Sequence, residues 1–194
     1  MKAKVNVIAA MLMFGSIGLF VRGIALPSSV IALVRGVIGC FFLVTVGSLM
    51  KQPVNWKAVK SNWLVLVLSG AAIGFNWIFL FEAYRYTMVS CATLSYYFAP
   101  VFVILVSPVV LGEKLTKRKL CCAAGAVIGM ILVSNVLFLD QGENGLIGIF
   151  FGLMAAVLYA SVMILNKFMK GLSGLETTAA QLGVAAVILL PYTL

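Results

Sequence analysis

The chain has 194 residues, of which 63% are hydrophobic and only 10% charged, and its mean hydropathy is +1.16. A soluble domain contains about 45–50% apolar residues, so a water-soluble fold could not bury this much apolar surface. Fourteen Lys and Arg against five Asp and Glu give a formal net charge of +9, and the basic residues form short clusters between apolar runs. This placement is typical of loops on one side of a membrane, and we expect no nucleic-acid partner.

The sequence carries no motif typical of catalysis. It has no histidine, the commonest metal ligand and general base, and its four cysteines fall inside apolar runs. The G-x-x-x-x-G-K-[ST] phosphate loop and the H-E-x-x-H and G-x-S-x-G motifs are also missing. We therefore expect a protein that is not an enzyme and that uses no metal, no cofactor and no ATP hydrolysis.

Seven apolar runs each have about the length that crosses ~30 Å of hydrocarbon as a helix. They are too long for barrel strands and show no sustained alternation of apolar and polar residues. The expected fold class is therefore an all-α membrane protein, a polytopic bundle of transmembrane helices. The predicted spans are residues 5–25, 29–50, 62–84, 88–111, 120–138, 145–165 and 176–194.

The positions of the basic residues predict how these spans are oriented. If the loops alternate between the two sides, eleven of the fourteen Lys and Arg lie on the side of the N-terminus. The remaining Arg22, Arg35 and Arg85 lie on or near the other side, with the acidic loop 139–144. The positive-inside rule then predicts a cytoplasmic N-terminus in the cytoplasmic membrane and an external loop at 139–144.

A weak internal repeat accompanies this topology. An odd number of spans precedes residues 139–144, so a repeat of the preceding unit would insert upside down. The letters AAML at residues 9–12 are echoed by AAVL at residues 155–158. The sequence therefore predicts inverted five-helix repeats, which are the architecture of many secondary transporters.

Three motifs stand in the middle of the chain: FEAYRYT at residues 81–87, APVF at residues 99–102 and LGEKLT at residues 111–116. They are similar to the alanine-tyrosine-threonine turn, the proline-containing fourth helix and the Gly-Glu-basic ending of the EamA-like branch of the drug/metabolite transporter superfamily. Arg35 in the second span and the glycines of 125–129 in the fifth also fit this resemblance.

The resemblance implies ten helices in two inverted halves with a ligand cavity between them. Residues 1–138 would then form the first EamA-like repeat, 139–144 an external loop, and 145–194 the first two helices of a second, incomplete repeat. We accordingly expect a transporter truncated after its seventh helix. The alternative is a short protein that completes its cavity by forming a homodimer.

The expected function is secondary transport of a small organic metabolite or drug by alternating access, in the direction of export. The small-molecule solute and the lipid bilayer are then the partners. The alternative is a non-transporting membrane scaffold or partner subunit, or an inactive transporter fragment. Close-packing Gly-x-x-x-Gly pairs at 70–74, 125–129 and 148–152 suit contacts within one chain or between two chains.

Polar groups and prolines inside the apolar spans are the candidates for solute binding. Arg35 lies about six residues inside the second span, where it either binds solute or snorkels to the interface. The fourth span carries Thr93, Tyr97 and Pro100 on one stripe, and Pro100 leaves the Tyr96 carbonyl without its helical donor. The predicted substrate-binding residues are Arg35, Asn76, Trp77, Thr93, Tyr96, Tyr97 and Pro100.

The proline kinks and Glu82 each have a structural alternative. The kinks at Pro100 and Pro108 would serve packing alone if neighbouring hydroxyls satisfied the freed carbonyls. Glu82, the one acid close to the interior of a predicted span, is the candidate for proton coupling. Arg85, three residues later, would favour the charged carboxylate and oppose proton uptake, so a structural ion pair or loop cap is the alternative for Glu82.

Overall fold

The computed structural model describes residues 8, 12–13, 16–17, 20–21, 23–51, 55–134 and 142–193. From Gly23 onward these residues form eight helices and no β-strand, which confirms the predicted fold class. The helices are α1 (Ser28–Leu49), α2 (Trp56–Ser61), α3 (Trp63–Tyr86), α4 (Val89–Tyr96), α5 (Ala99–Leu111), α6 (Lys117–Ser134), α7 (Gly142–Asn166) and α8 (Gly174–Thr193).

Five stretches of the described chain are long and apolar enough to cross a membrane, namely α1, α3, α4 together with α5, α7 and α8. The chain is therefore a polytopic membrane protein. α6 overlaps the predicted fifth span but begins with three basic residues, so it is not among the five. Most of the predicted first span, at 5–25, and residues 139–141 of the predicted external loop lie outside the described residues, whereas 142–144 form the first turn of α7.

α1 illustrates how these helices divide their surface between lipid and protein. Its large apolar side chains Ile38, Phe41 and Phe42 are 63%, 75% and 62% exposed. Its small residues Ala32 and Gly36 are buried. Exposed phenylalanines on one face and small residues on the other are expected where hydrocarbon, not water, covers the outer face.

The core of the bundle lies around α3. This helix contacts α1, α4, α7 and α8, and α1 in turn packs along α8. Phe81 and Tyr84 of α3 are buried with Ala155 of α7 and Leu189 of α8. α3 precedes the predicted repeat boundary at residues 139–144, yet it is covered mainly by α7 and α8, which follow that boundary.

Two of the three Gly-x-x-x-Gly pairs bring helices into close contact within the chain. A Cβ atom on Gly70 of α3 would lie 2.7 Å from the Cβ of Val184 on α8. A Cβ atom on Gly148 of α7 would lie 2.6 Å from the Cβ of Thr87. At Gly125 and Gly129 of α6, no described atom lies within 4 Å of such a Cβ. The first two contacts therefore require glycine, because any side chain would collide with a neighbouring helix or loop.

The predicted fourth span is a broken helix. α4 ends at Tyr96 and α5 begins at Ala99, with a turn at Tyr97 and Phe98 between them. Pro100 lies in the first turn of α5 and has no N–H to donate to the Tyr96 carbonyl, which accounts for the break at this point. The kink expected from the sequence is therefore present.

Pro108, inside α5, frees the carbonyl of Ile104 in the same way. The Ser107 hydroxyl donates a hydrogen bond to that oxygen at 3.1 Å, so the freed acceptor is satisfied within the helix. At Pro108 the structural alternative is therefore correct: a neighbouring hydroxyl, not a solute, takes the freed carbonyl.

Candidate functional site

A cavity of about 300 Å³ lies between α1, α3, α4, α7 and α8. Polar residues on a lipid-crossing helix are expected to face the bundle interior, because a lipid-facing polar group has no partner. Six of the seven residues predicted to bind substrate line this one cavity. They are Arg35, Asn76, Trp77, Thr93, Tyr96 and Tyr97.

Arg35 brings the positive charge of the cavity. Its guanidinium carbon lies 4.5 Å from the centre of the Trp77 ring, a distance at which the ring quadrupole attracts a cation. The described residues contain three ion pairs, formed by Glu82 and Glu113, and none of them includes Arg35. Among the described residues, the arginine is thus held by an aromatic face and not by a carboxylate.

Phenol rings form another wall of the cavity. The rings of Tyr96 on α4 and Tyr159 on α7 lie 5.3 Å apart, and those of Tyr96 and Tyr97 lie 6.4 Å apart. The Tyr84 and Thr93 hydroxyls are 3.4 Å from each other. This wall offers flat apolar surface together with hydroxyl groups that can donate or accept hydrogen bonds.

Asn76 joins the cavity to the helix packing. Its side chain is 1% exposed, and its Nδ2 donates to the main-chain oxygen of Ala155 on α7 at 2.5 Å. An interhelical hydrogen bond of this kind fixes the separation and register of two helices inside a membrane. Asn76 therefore has a structural role at the position where the sequence predicts solute contact.

Several cavity residues were not predicted from the sequence. Gln181 on α8 is 3% exposed, and its Nε2 donates to Ser69 Oγ at 2.9 Å and to Asn166 Oδ1 at 2.7 Å. Gln181 stands inside a long apolar run, which was a usable signal, because polar groups in such runs rarely face lipid. Asn166 directly follows such a run. The other lining residues with a hydroxyl group that sequence reasoning missed are Tyr84, Tyr159 and Thr178.

Two predicted site residues lie outside the cavity. Pro100 is exposed and contributes the helix break next to Tyr97 instead of a wall. Glu82 pairs with Arg85, whose Nη1 donates to Glu82 Oε1 at 3.4 Å near the end of α3. The ion pair named as the alternative for Glu82 is thus present, and its coupling role remains a prediction.

The described residues contain no group of three His, Cys, Asp or Glu side chains that could hold a metal ion. A larger groove of about 670 Å³ runs between α1 and α8, but its lining is mostly apolar and includes none of the predicted site residues. The aromatic and amide cavity around Arg35 is therefore the better candidate for recognising an organic solute.

One end of the bundle carries α2 and the connections at 112–116 and 167–173, and we term it the basic end. Polar contacts join the helix ends there. Asn62 Nδ2 donates to the carbonyl oxygen of Lys170 at 3.0 Å, and the Lys170 N–H donates to Asn62 Oδ1 at 3.3 Å. The Glu176 carboxylate accepts from the main-chain N–H groups of Asn55 and Ser173 at 2.7 and 2.8 Å. The Asn62–Lys170 bonds tie the start of α3 to the connection between α7 and α8, and the Asn55–Glu176 bond ties the start of α2 to the first turn of α8.

Glu113 provides a second tie at the basic end. Its two carboxylate oxygens accept from Lys167 Nζ at 2.8 Å and Lys119 Nζ at 2.9 Å. Lys167 follows α7, so the carboxylate links the end of α7 to the connection between α5 and α6. Hydrogen bonds from the Lys167 and Lys119 ammonium groups hold the pKa of the Glu113 carboxyl down to about 2.

This shift predicts a pH dependence for the Glu113 tie. The folded pKa lies below the ordinary value of 4.5, so the stabilisation is fully present above pH 4.5 and is lost as the pH falls towards 2. We expect wild type and Glu113→Gln to differ slightly in unfolding temperature at pH 7, because exposed pairs contribute little. The difference should shrink below pH 4.5, and thermal unfolding in detergent across the range measures it. A gap unchanged at pH 3 and below would contradict the assignment.

Comparison with known proteins agrees with this architecture. Residues 1–135 match the model of the EamA-like transporter family. Over 98% of its length the chain is 31% identical to "Uncharacterized transporter YxxF" of Bacillus subtilis (strain 168), of which it covers 61%. Over 58% of its length it is 34% identical to an "Uncharacterized transporter" of Archaeoglobus fulgidus, of which the match covers 40%.

The chain thus spans less than two thirds of the length of the curated relatives that it matches. No solved structure matches it. The family match extends over well more than half of the chain and includes α1 to α6. These helices supply Arg35 of α1, Asn76 and Trp77 of α3, and Thr93 and Tyr96 of α4 to the cavity wall. By this match the chain belongs to the EamA-like transporter family.

Proposed function

We propose that this chain takes part in secondary transport of a small organic solute across the cytoplasmic membrane, with the cavity around Arg35 as the solute site. The proposal depends on one observation: six residues predicted from the sequence line one cavity of about 300 Å³. They come from α1, α3, α4 and the turn between α4 and α5. Small-molecule sites occupy about 300–1,000 Å³, so the volume suits a solute at the small end of that range. Two relatives named as transporters support the same function.

Alternating access requires the cavity to open to each side in turn. The ties at the basic end, formed by Asn62, Glu113 and Glu176, join helix ends and connections and not the apolar core. Polar contacts next to water exchange for hydrogen bonds with water at little net cost. We infer that opening at this end separates these contacts, and that an exporter loads its solute through it.

Blocking the cavity tests the proposal. Thr93→Trp places an indole in the cavity, whereas Val109→Trp places the same side chain on a surface that is 88% exposed. In proteoliposomes loaded with a panel of radiolabelled aromatic acids, amines, amides and amino acids, we expect at least one compound to leave faster than from protein-free vesicles. Thr93→Trp should reduce that efflux to the protein-free rate, and Val109→Trp should retain it.

Two results would count against the proposal. Efflux that persists unchanged in Thr93→Trp would remove the cavity as the solute site. An absence of efflux for every compound from vesicles that contain the wild-type chain, with that chain correctly folded by size-exclusion chromatography, would count against transport by this chain.

The orientation of the chain is a separate prediction. Lys117 at the start of α6 and Met88 between α3 and α4 are exposed and lie at opposite ends of the α4–α5 span. In a chain with its native cysteines replaced, we expect a membrane-impermeant thiol reagent on intact cells to label Met88→Cys and not Lys117→Cys. The reason is that Lys and Arg are retained on the cytoplasmic side. The reverse labelling pattern would show an external N-terminus.

A further inference from the structure

The positive charge of Arg35 is only partly compensated by the described residues around it. The described residues that line the cavity include this arginine and no Lys, Asp or Glu. Its guanidinium lies over Trp77, and none of the three described ion pairs includes it. A cation–π contact compensates only part of the cost of removing a cation from water. A bound group of negative charge would compensate the rest.

We propose that the solute of this cavity is a monoanion, a single carboxylate attached to a planar ring, with Arg35 as the group that binds the carboxylate. This inference rests on the proposed function, because it specifies the solute of the same cavity. A guanidinium forms two parallel N–H···O bonds to a carboxylate, a geometry that an ammonium cannot reproduce.

The charge of the described lining favours one carboxylate over other charged groups. One arginine neutralises one negative charge, so a phosphate dianion would enter with an uncompensated charge. An amine or the ammonium group of a zwitterion would find Arg35 as a like charge and no carboxylate among the described lining residues. The preference is therefore for net negative solutes over zwitterions, cations and dianions.

The shape of the lining favours a planar ring. The rings of Tyr96 and Tyr159 pack against each other at an interplanar angle of 37° with centroids 5.3 Å apart, and Tyr97 lies next to Tyr96. Aromatic rings pack best at centroid separations of about 4.5–7 Å, so a ring can contact this wall while its carboxylate reaches Arg35. The volume of about 300 Å³ restricts the solute to a small molecule.

A matched series of probes tests the charge preference on the unaltered chain. Phenylacetate, phenylacetamide, phenethylammonium and phenyl phosphate share one ring and differ in charge, and acetate has the charge without the ring. Calorimetric titration of the full chain in lipid nanodiscs should show phenylacetate binding about 10- to 100-fold more tightly than phenylacetamide, because charge-assisted hydrogen bonds exceed neutral ones. Phenethylammonium, phenyl phosphate and acetate should each bind more weakly than phenylacetate.

Variants of Arg35 assign the preference to this side chain. Arg35→Gln should bind phenylacetate and phenylacetamide equally, and Arg35→Lys should retain part of the preference. Arg85→Gln is the matched control, because Arg85 also carries a positive charge but does not line the cavity. Its preference for phenylacetate should equal that of the wild type. If Arg35→Gln fails to fold, the probe series on the wild type and on Arg35→Lys still decides the question.

The outcomes separate this inference from the proposed function. Equal binding of phenylacetate and phenylacetamide to the wild type, with both blocked by Thr93→Trp, would overturn the charge preference and leave the cavity as the solute site. Unchanged preference in Arg35→Gln would overturn the role of Arg35. Failure of all ring probes to bind would overturn the inference, and transport would then depend on the efflux measurements alone.

Discussion

Replacing Gly70 by alanine is expected to destabilise the bundle by about 1–3 kcal/mol, the usual cost of adding a methyl group to a closely packed core. The new Cβ would lie 2.7 Å from the Cβ of Val184 and 2.9 Å from the main-chain oxygen of Gln181. Neither atom is at the end of a flexible side chain, so α3 and α8 must move apart. The measurement is thermal unfolding of the purified protein in detergent.

Gly125→Ala is the control for this substitution. Gly125 stands in the interior of α6, is exposed, and no described atom lies within 4 Å of a Cβ placed on it. The same change there should be neutral or should stabilise by up to about 1 kcal/mol, because alanine favours a helix more than glycine does. Equal effects at the two positions would contradict the close approach of α3 and α8.

Gln181→Leu is expected to have a comparable effect by a different mechanism. The substitution removes the hydrogen bonds to Ser69 and Asn166 and leaves two polar groups of α3 and α7 without this donor. Interhelical hydrogen bonds in membranes average about 0.6 kcal/mol and reach about 1.7 kcal/mol, so the loss of two predicts about 1–3 kcal/mol. Solute efflux should fall as well, because Gln181 lines the cavity.

Thr178→Val provides the comparison within α8. Thr178 also lines the cavity, but its hydroxyl donates to the Gly174 carbonyl of its own helix at 2.8 Å. Valine has nearly the same shape and removes no bond between helices. The free energy of unfolding should therefore change by less than about 0.5 kcal/mol. A large loss in Thr178→Val with none in Gln181→Leu would reverse the assignment of structural roles on α8.

Much of the fold was predictable because span length and polarity leave few alternatives in a bilayer. Apolar runs of the required length gave the helices, and Pro100 gave the position of the break between α4 and α5. Arg35, Asn76 and Trp77 were predictable as cavity residues for the same reason, since polar groups in such runs face inward. Local sequence is sufficient for these conclusions.

The contribution of the later helices was not predictable in the same way. Gln181 and Tyr159 lie beyond the segment that carries the family motifs, and nothing in their local sequence names Ser69 or Tyr96 as neighbours. The tie at Glu176 was accessible in part, because Ser173-x-x-Glu176 is a capping box at the start of a helix. Its contact with the Asn55 N–H requires the fold.

The position of α3 among later helices has a consequence for how the protein is made. The partner of Asn76 lies 79 residues further along the chain, that of Asn62 108 residues and that of Ser69 112 residues. At about 5–20 residues per second, a ribosome needs on the order of 5–20 s to synthesise the segment between Ser69 and Gln181.

During that interval α3 has entered the membrane while its partners on α7 and α8 do not yet exist. Ser69 and Asn76 of α3 then face lipid, the insertion machinery or other helices without their final hydrogen bonds. Polar groups without partners cost free energy in hydrocarbon. Thr178 and Gln181 join the cavity wall only when α8 inserts. Synthesis that stops between α6 and α7 therefore yields inserted helices whose polar groups remain available to quality-control proteases and to other chains.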